Sequence, residues 1–214
     1  MAKRLFAGAL FAGVAAGCTA FLLQLLFINP LSFEAELYES GVRVHFAASL
    51  DAPVQSPAGP DLARTQPLPS LVQDIGFSIV SYVAFALILI AGMALAERAG
   101  HAVTARSGAI WGLAGFIAMQ LAPSFGLPPK PPGMVAAEVE LRQLWYTGCI
   151  IATAAGLALL AFGRGAVAIV FALILLAMPH VIGAPHLDTY FGIVPPELAG
   201  RFATASLAVS LVGW

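Results

Sequence analysis

The sequence predicts an all-α integral membrane protein of about six transmembrane helices, paired as three hairpins with Pro-rich extracytoplasmic loops. Three observations carry that expectation. Of the 214 residues, 60% are hydrophobic and only 10% are charged, with a mean hydropathy of +0.90; soluble domains run nearer a quarter charged. Uncharged apolar runs of about twenty residues recur, the length that crosses a hydrocarbon layer of about 30 Å. Proline clusters interrupt the chain where several of those runs end.

Lys3 and Arg4 precede the uncharged run Leu5–Ile28. That run exceeds a signal-peptide core of roughly 7–15 residues, so a retained first helix is expected. Residues 47–69 hold five prolines among Ala, Gln, Ser and Gly, without apolar periodicity. They read as a flexible extracytoplasmic linker within one polytopic domain, 1–214. Ile75–Ala96 is the second expected span, and Ser107–Ala122 the third. Pro123 is expected to end the third, because proline disfavours helix in the residue before it. The run from Phe125 through Pro128, Pro129, Lys130, Pro131 and Pro132 to Gly133 fits neither helix nor strand. It reads as a rigid, irregular hairpin tip.

Glu138, Glu140 and Arg142 mark the wet end of the fourth span, Leu144–Phe162. Glu138 and Arg142 stand four apart and are expected to pair across one turn. Trp145 and Tyr146 suit an aromatic belt at the interface. Gly165–Gly183 is the fifth span, and a sixth starts near Glu197, with 18 residues to Trp214. The patterns Gly13-x-x-x-Gly17 and Gly108-x-x-x-Gly112 predict close helix contact.

Lys3, Arg4, Arg98, Arg106 and Arg164 crowd into short segments on one side of these spans. Arg43, Arg64, Lys130, Arg142 and Arg201 are spread along the other side. The bias of Lys and Arg toward the cytoplasm therefore puts both termini inside. Ten of the eleven acids then fall outside, as do His45, His180 and His186. This describes an outer mouth attractive to cations, or equally long outer loops that simply need polar residues. Three proline-tipped ends, at Asn29-Pro30, Pro123 and Pro179, also suggest parallel repeats about the membrane normal.

Glu34-x-Glu36-x-x-Glu39 offers oxygen donors suited to a divalent cation. The same acids would also sit comfortably near the positive end of a helix dipole. His180 and His186 bracket a Pro-stiffened loop, and imidazole suits Co, Ni, Zn, Cu and Fe. Gln24 and Gln120 fall near outer helix ends, where amide oxygens could follow an ion out of water; packing between helices is the plainer use of such residues. Cys18 and Cys149 lie in apolar runs without CxxC or Cys/His metal spacing, so both are expected as free thiols.

Several functions have no support in the residues. A net charge of −1 offers nothing to nucleic acid. No GxxxxGK[ST], HExxH or GxSxG pattern occurs. An enzyme is therefore not expected, and an ATP-driven step would need another protein. No Asp, Glu, Lys or Arg lies in the middle of an expected span, so a carboxylate proton relay is not visible.

Several ordered motifs resemble one family across the chain. They are Phe33-Glu34-Ala-Glu36-x-Tyr38-Glu39, Trp111-Gly-Leu-Ala-Gly-Phe116, and Leu121-Ala-Pro-x-Phe-Gly-Leu-Pro-Pro129. Arg142-Gln143-x-Trp145, Pro179-His180-x-Ile-Gly-Ala-Pro185 and Val194-Pro-x-Glu197-Leu-Ala follow in order. The chain resembles the CbtA family, predicted cobalt transporter subunits. Lys130-Pro131 stands where that family favours Glu-Leu, which makes the tip less acidic. The resemblance implies a bacterial inner-membrane protein that supplies cobalt for cobalamin synthesis, with a small, single-span, His-bearing partner called CbtB. The expected function is a permease subunit for a divalent metal, Co²⁺ or Ni²⁺, carried as cargo rather than held as a cofactor. Glu34, Glu36, Glu39, His180, His186, Gln24 and Gln120 would meet the ion. A non-transporting scaffold subunit of a larger membrane complex is the alternative.

Overall fold

Alanines make up much of what is buried, and many large apolar side chains face outward, unlike a water-soluble core. In a computed structural model describing residues 2–45, 68–188 and 192–214, Ala9, Ala20, Ala35 and Ala172 are fully buried. Phe77 and Val181 are 76% and 83% exposed. Water would penalise such a surface heavily, whereas lipid does not, and small residues let helix backbones approach.

The described residues form helices and irregular segments, with no strand among them. The helices are α1 (Ala2–Leu23), α2 (Asn29–Glu39), α3 (Leu68–Arg98), α4 (Ala105–Phe116), α5 (Ala122–Ser124), α6 (Val139–Phe162), α7 (Gly165–Ile182) and α8 (Pro196–Gly213). A π turn, Gln24–Ile28, joins α1 to α2, and a second, Ile117–Leu121, joins α4 to α5. Four helices among the described residues are long and apolar enough to cross a membrane: Phe6–Glu39, Leu68–Arg98, Val139–Phe162 and Gly165–Ile182. Two of the six expected spans fall outside that set. The third lies in a run, 105–124, whose hydropathy is lowered by Arg106, Ser107, Gln120, Pro123 and Ser124. The sixth, α8, carries Glu197 and Arg201 in its first two turns.

The expected stops at Pro30 and Pro123 are not stops. Each proline is the second residue of a helix that continues the one before it. Proline in a helix removes one donor and presses its ring on the carbonyl four residues back. A π turn immediately upstream widens that stretch of backbone. The Asn29 N–H reaches back five residues to the Gln24 carbonyl, and the Ala122 N–H reaches the Ile117 carbonyl in the same way. The first helical run therefore continues through Glu39, and at 1.5 Å per residue its 34 residues span about 51 Å. That exceeds the hydrocarbon thickness, so α2 and its acids extend beyond it.

Elsewhere the boundaries follow local chemistry. Thr104 and Ser107 form a reciprocal capping box that opens α4. Gly183, at φ +85°, ends α7 in a conformation that favours glycine. The linker expected over 47–69 lies outside the described residues except for Leu68 and Pro69, which open α3. The expected Glu138–Arg142 side-chain pair does not form. The Arg142 backbone N–H bonds the Glu138 carbonyl instead, and its buried Nε has no hydrogen-bond partner.

Contacts divide the chain into two units. The first holds Met1–Ile90, Lys130–Val135 and Phe191–Gly213. In it α1 meets α3 through Gly13 against Val83 and Gly17 against Ile79, and Ser78 Oγ donates to the Gly17 carbonyl at 2.9 Å. The predicted close contact of that glycine pair is therefore made. Leu31 and Ala35 of α2 pack on Val194 and Leu198, with Met134 alongside. The second unit holds Ala91–Pro129, Ala136–Tyr190 and Trp214. There Gly156 of α6 lies against Leu176 and Ala172 of α7. Gly112 and Gly115 of α4 face Trp214, while Gly108 faces open space.

Candidate functional site

In the first unit the acids of α2 occupy two faces. Leu31, Ala35 and Tyr38, spaced four and three apart, turn toward the packed cluster. Glu36 and Glu39 are three apart and share a neighbouring stripe, while Glu34 lies about 200° around the helix from Glu36. Glu34 is already engaged: its Oε1 accepts from Arg43 Nη1 at 3.1 Å. The turn after α2 makes this pairing. The Ser40 N–H bonds the Glu36 carbonyl, Gly41 takes φ +74°, and the Arg43 N–H returns to the Leu37 carbonyl at 2.8 Å. The proline-rich segment covers the same helix end. Gly133 packs against Ile193 and the Glu39 Cβ, and Lys130 Nζ donates to the Val135 carbonyl at 3.0 Å. Gln24, half-buried, is the first residue of the first π turn.

In the second unit His180 is exposed but flanked by aromatic rings. Its ring lies edge-on to Phe125, with centroids 6.0 Å apart, and to Trp145 at 6.2 Å. Trp145 Nε1 donates to the Pro179 carbonyl at 3.1 Å. His186 Nδ1 lies 3.1 Å from the Leu187 carbonyl. That histidine borders an open apolar groove of about 620 Å³, lined also by Trp145, Cys149, Met178 and Pro179. Gln120, half-buried, sits in the second π turn beside Met119, whose carbonyl accepts from the Tyr146 hydroxyl at 2.6 Å.

Glu34, Glu36, Glu39 and Gln24 thus belong to one unit, and Gln120, His180 and His186 to the other. Among the described residues no three or more His, Cys, Asp or Glu side chains form a group able to hold a metal ion. Cys18 and Cys149 are both free.

Residues 2–214 match the family described as "Probable cobalt transporter subunit (CbtA)". The chain belongs to the CbtA family. No curated protein and no solved structure matches it. The match covers the acidic α2, both π turns and the His180 loop, so this CbtA chain carries all of these features within the family's own extent.

Three residues at these places were not expected to matter. Arg43 becomes a partner of Glu34 only through the turn at Gly41. Trp145 and Tyr146 read as belt residues, yet each donates to a backbone carbonyl of a proline-bearing segment. One signal for Tyr146 was available: Met119 stands four residues before Pro123, so its carbonyl receives no α-helical bond from that residue.

Proposed function

We propose that this CbtA chain is the membrane permease subunit for uptake of a divalent transition metal, with cobalt as the first candidate. The family match over nearly the whole of an all-helical, apolar chain carries the reading. The distribution of Lys and Arg supports a bacterial inner-membrane placement with the N-terminus in the cytoplasm. The run 105–124 and α8, about 30 Å and 27 Å long at 1.5 Å per residue, complete six crossings in three hairpins.

Outside, Glu36 and Glu39 attract the hydrated ion, and Glu34 adds its charge where Arg43 lets it go. In the second unit His180 and His186 supply imidazole to a partly dehydrated ion, and the amide oxygens of Gln24 in the first unit and Gln120 in the second are further donors. Ligation a few groups at a time suits transport, because an ion held too well does not leave. A small single-span, His-bearing partner of the CbtB kind completes the transporter, and the metal feeds cobalamin synthesis.

The purified chain in sealed vesicles tests this, with Co²⁺ and Ni²⁺ entry measured with and without the small partner. Saturable entry is expected, falling about tenfold in the Glu34→Gln, Glu36→Gln double variant, a loss of about 1.4 kcal/mol of capture. Membrane abundance should be unaffected. Unchanged entry would remove both acids from the path, and no entry under either condition would favour the scaffold reading.

Arg43→Gln provides a test of opposite sign. The pair is partly buried but still open to solvent, and a pair near the surface is worth about 1 kcal/mol or less, so thermal stability should move little. Freeing the Glu34 carboxylate makes the mouth one charge more negative, and half-saturation by Co²⁺ should fall about threefold at low ionic strength. The gain should vanish at high salt, where screening removes it.

A further inference from the structure

One end of the second unit gathers three arginines that no described acid pairs. α3 closes in a Schellman turn: the His101 N–H bonds the Ala96 carbonyl and the Gly100 N–H the Glu97 carbonyl, each at 3.0 Å, with Gly100 at φ +90°. The His101 ring lies on Phe162, the last residue of α6, with centroids 4.7 Å apart. Trp111 of α4 backs the same ring at 6.1 Å, and an added Cβ at Gly92 would lie 3.0 Å from its indole. Arg98 stands three residues before His101, Arg106 five after it, and Arg164 two after Phe162. All three arginines and His101 are exposed. Glu97 is the one acid in 91–110 and 155–170, so about two positive charges remain with His101 neutral. Arg98 suits the last turn of α3, but Arg106 and Arg164 stand at the starts of α4 and α7, where the helix dipole disfavours a cation. Neither first turn holds an acid. Local stability gives no reason for arginine at those two positions; a negative partner from outside the chain does.

We propose that Arg98, Arg106 and Arg164 bind the headgroup of an anionic phospholipid, one that carries two phosphates. Guanidinium forks match phosphate oxygens in pairs, and two phosphates balance the two unanswered charges. Immediately inward of these helix ends the surface is apolar: Leu95, Ile110, Leu160 and Val167 are all exposed. Such a surface takes acyl chains, and Trp111 suits the level where chain meets headgroup. Basic clusters between membrane helices recognise lipids of this charge. A soluble acidic protein would meet the arginines but leave the apolar side chains beside them without a use. The site stands on contacts within one unit and does not depend on which ion is carried, or on whether any is.

Native mass spectrometry of the full-length chain, released from nanodiscs of phosphatidylcholine doped with cardiolipin, counts the lipid that stays bound. Cardiolipin should be retained in preference to phosphatidylcholine, and titrating it into the detergent-purified chain should raise the unfolding temperature. Arg106→Gln combined with Arg164→Gln should weaken binding about thirtyfold, and Arg164→Gln alone about fivefold. Arg201→Gln, in the first unit, should leave it unchanged. Raising the salt should weaken binding to the native chain. Should the double variant fail to fold, Arg164→Gln alone decides. Equal retention of phosphatidylcholine, or an equal loss in Arg201→Gln, overturns the proposal. Phosphatidylglycerol held as tightly as cardiolipin overturns it too, because one phosphate would then suffice. Inorganic pyrophosphate that protects the chain as well as cardiolipin does would assign the arginines to a soluble anion instead of a lipid. Metal entry is no part of these readouts, so a failed permease leaves the lipid site standing, and a failed lipid site leaves the permease.

Discussion

Gly17→Val should cost about 4 kcal/mol of stability and lower the amount of folded protein recovered from the membrane. A Cβ at Gly17 would lie 2.6 Å from the Cα of Ile79 and 2.9 Å from its backbone nitrogen. Neither is a flexible side-chain tip that can turn aside, so α1 and α3 must separate. Overpacking of this kind costs about 3 kcal/mol at the upper end of its usual range. Separation also breaks the bond from Ser78 Oγ to the Gly17 carbonyl, worth about 1 kcal/mol more. Total stabilities are about 5–15 kcal/mol, so the loss is large. Unfolding in mixed micelles measures it, with Gly8→Val as the control. Gly8 lies on the same helix with nothing within 4 Å of an added Cβ, and its replacement should cost well under 1 kcal/mol. Equal losses in the two variants would show that the α1–α3 contact is not what the glycine serves.

Composition and run length were enough to read the helical class and the limits of α7, because both depend on residue type alone. The close approach at Gly13 and Gly17 was legible for the same reason, since small residues four apart make a groove whatever the partner. Gly108 shows the limit of that reasoning. It has the same spacing to Gly112 but faces open space, because a groove is used only if some helix lies across it. The π turns were not legible. An apolar run reads alike in α and π register when every side chain is apolar, and proline rules alone place a stop at Pro30 and Pro123. The wider turn that lets the helix pass each proline leaves no mark in hydropathy.

At the candidate site the residue types were readable and their partners were not. Glu34, Glu36 and Glu39 stand out in sequence as three acids, but only the reversal at Gly41 returns Arg43 to Glu34. His180 stands out as a histidine at a helix end. Its neighbours Phe125 and Trp145 come from elements 55 and 35 positions away along the chain, and no local pattern announces a contact of that separation. The match to the CbtA family adds a class of cargo, which no spacing of acids and imidazoles could have selected, because cobalt and nickel are adjacent in affinity for such donors.

Gly126→Val is expected to have the second large effect. The added carbons would occupy the position of the Trp145 ring and of the Ala184 methyl together. Ala184 belongs to the short segment closed by Gly183, and Trp145 is held by its bond to the Pro179 carbonyl, so neither gives way freely. Displacing the indole forfeits that bond and the ring contact with His180, and a loss of about 3 kcal/mol is expected in thermal or chemical unfolding. Gly148→Val, on α6 in the same half as Trp145 but facing open space, should cost well under 1 kcal/mol. Combining Gly126→Val with Trp145→Phe should be markedly less damaging than the sum of the two, because the smaller ring makes room for the new side chain; contacting residues couple by about 0.5–3 kcal/mol. Strict additivity would mean that Gly126 and Trp145 do not share the space the structure gives them. If Co²⁺ entry recovers in the double variant along with stability, the glycine serves transport through Trp145 alone. If stability recovers and entry does not, the indole has a further task that only its nitrogen can perform, and the bond to Pro179 becomes part of the transport cycle rather than of the fold.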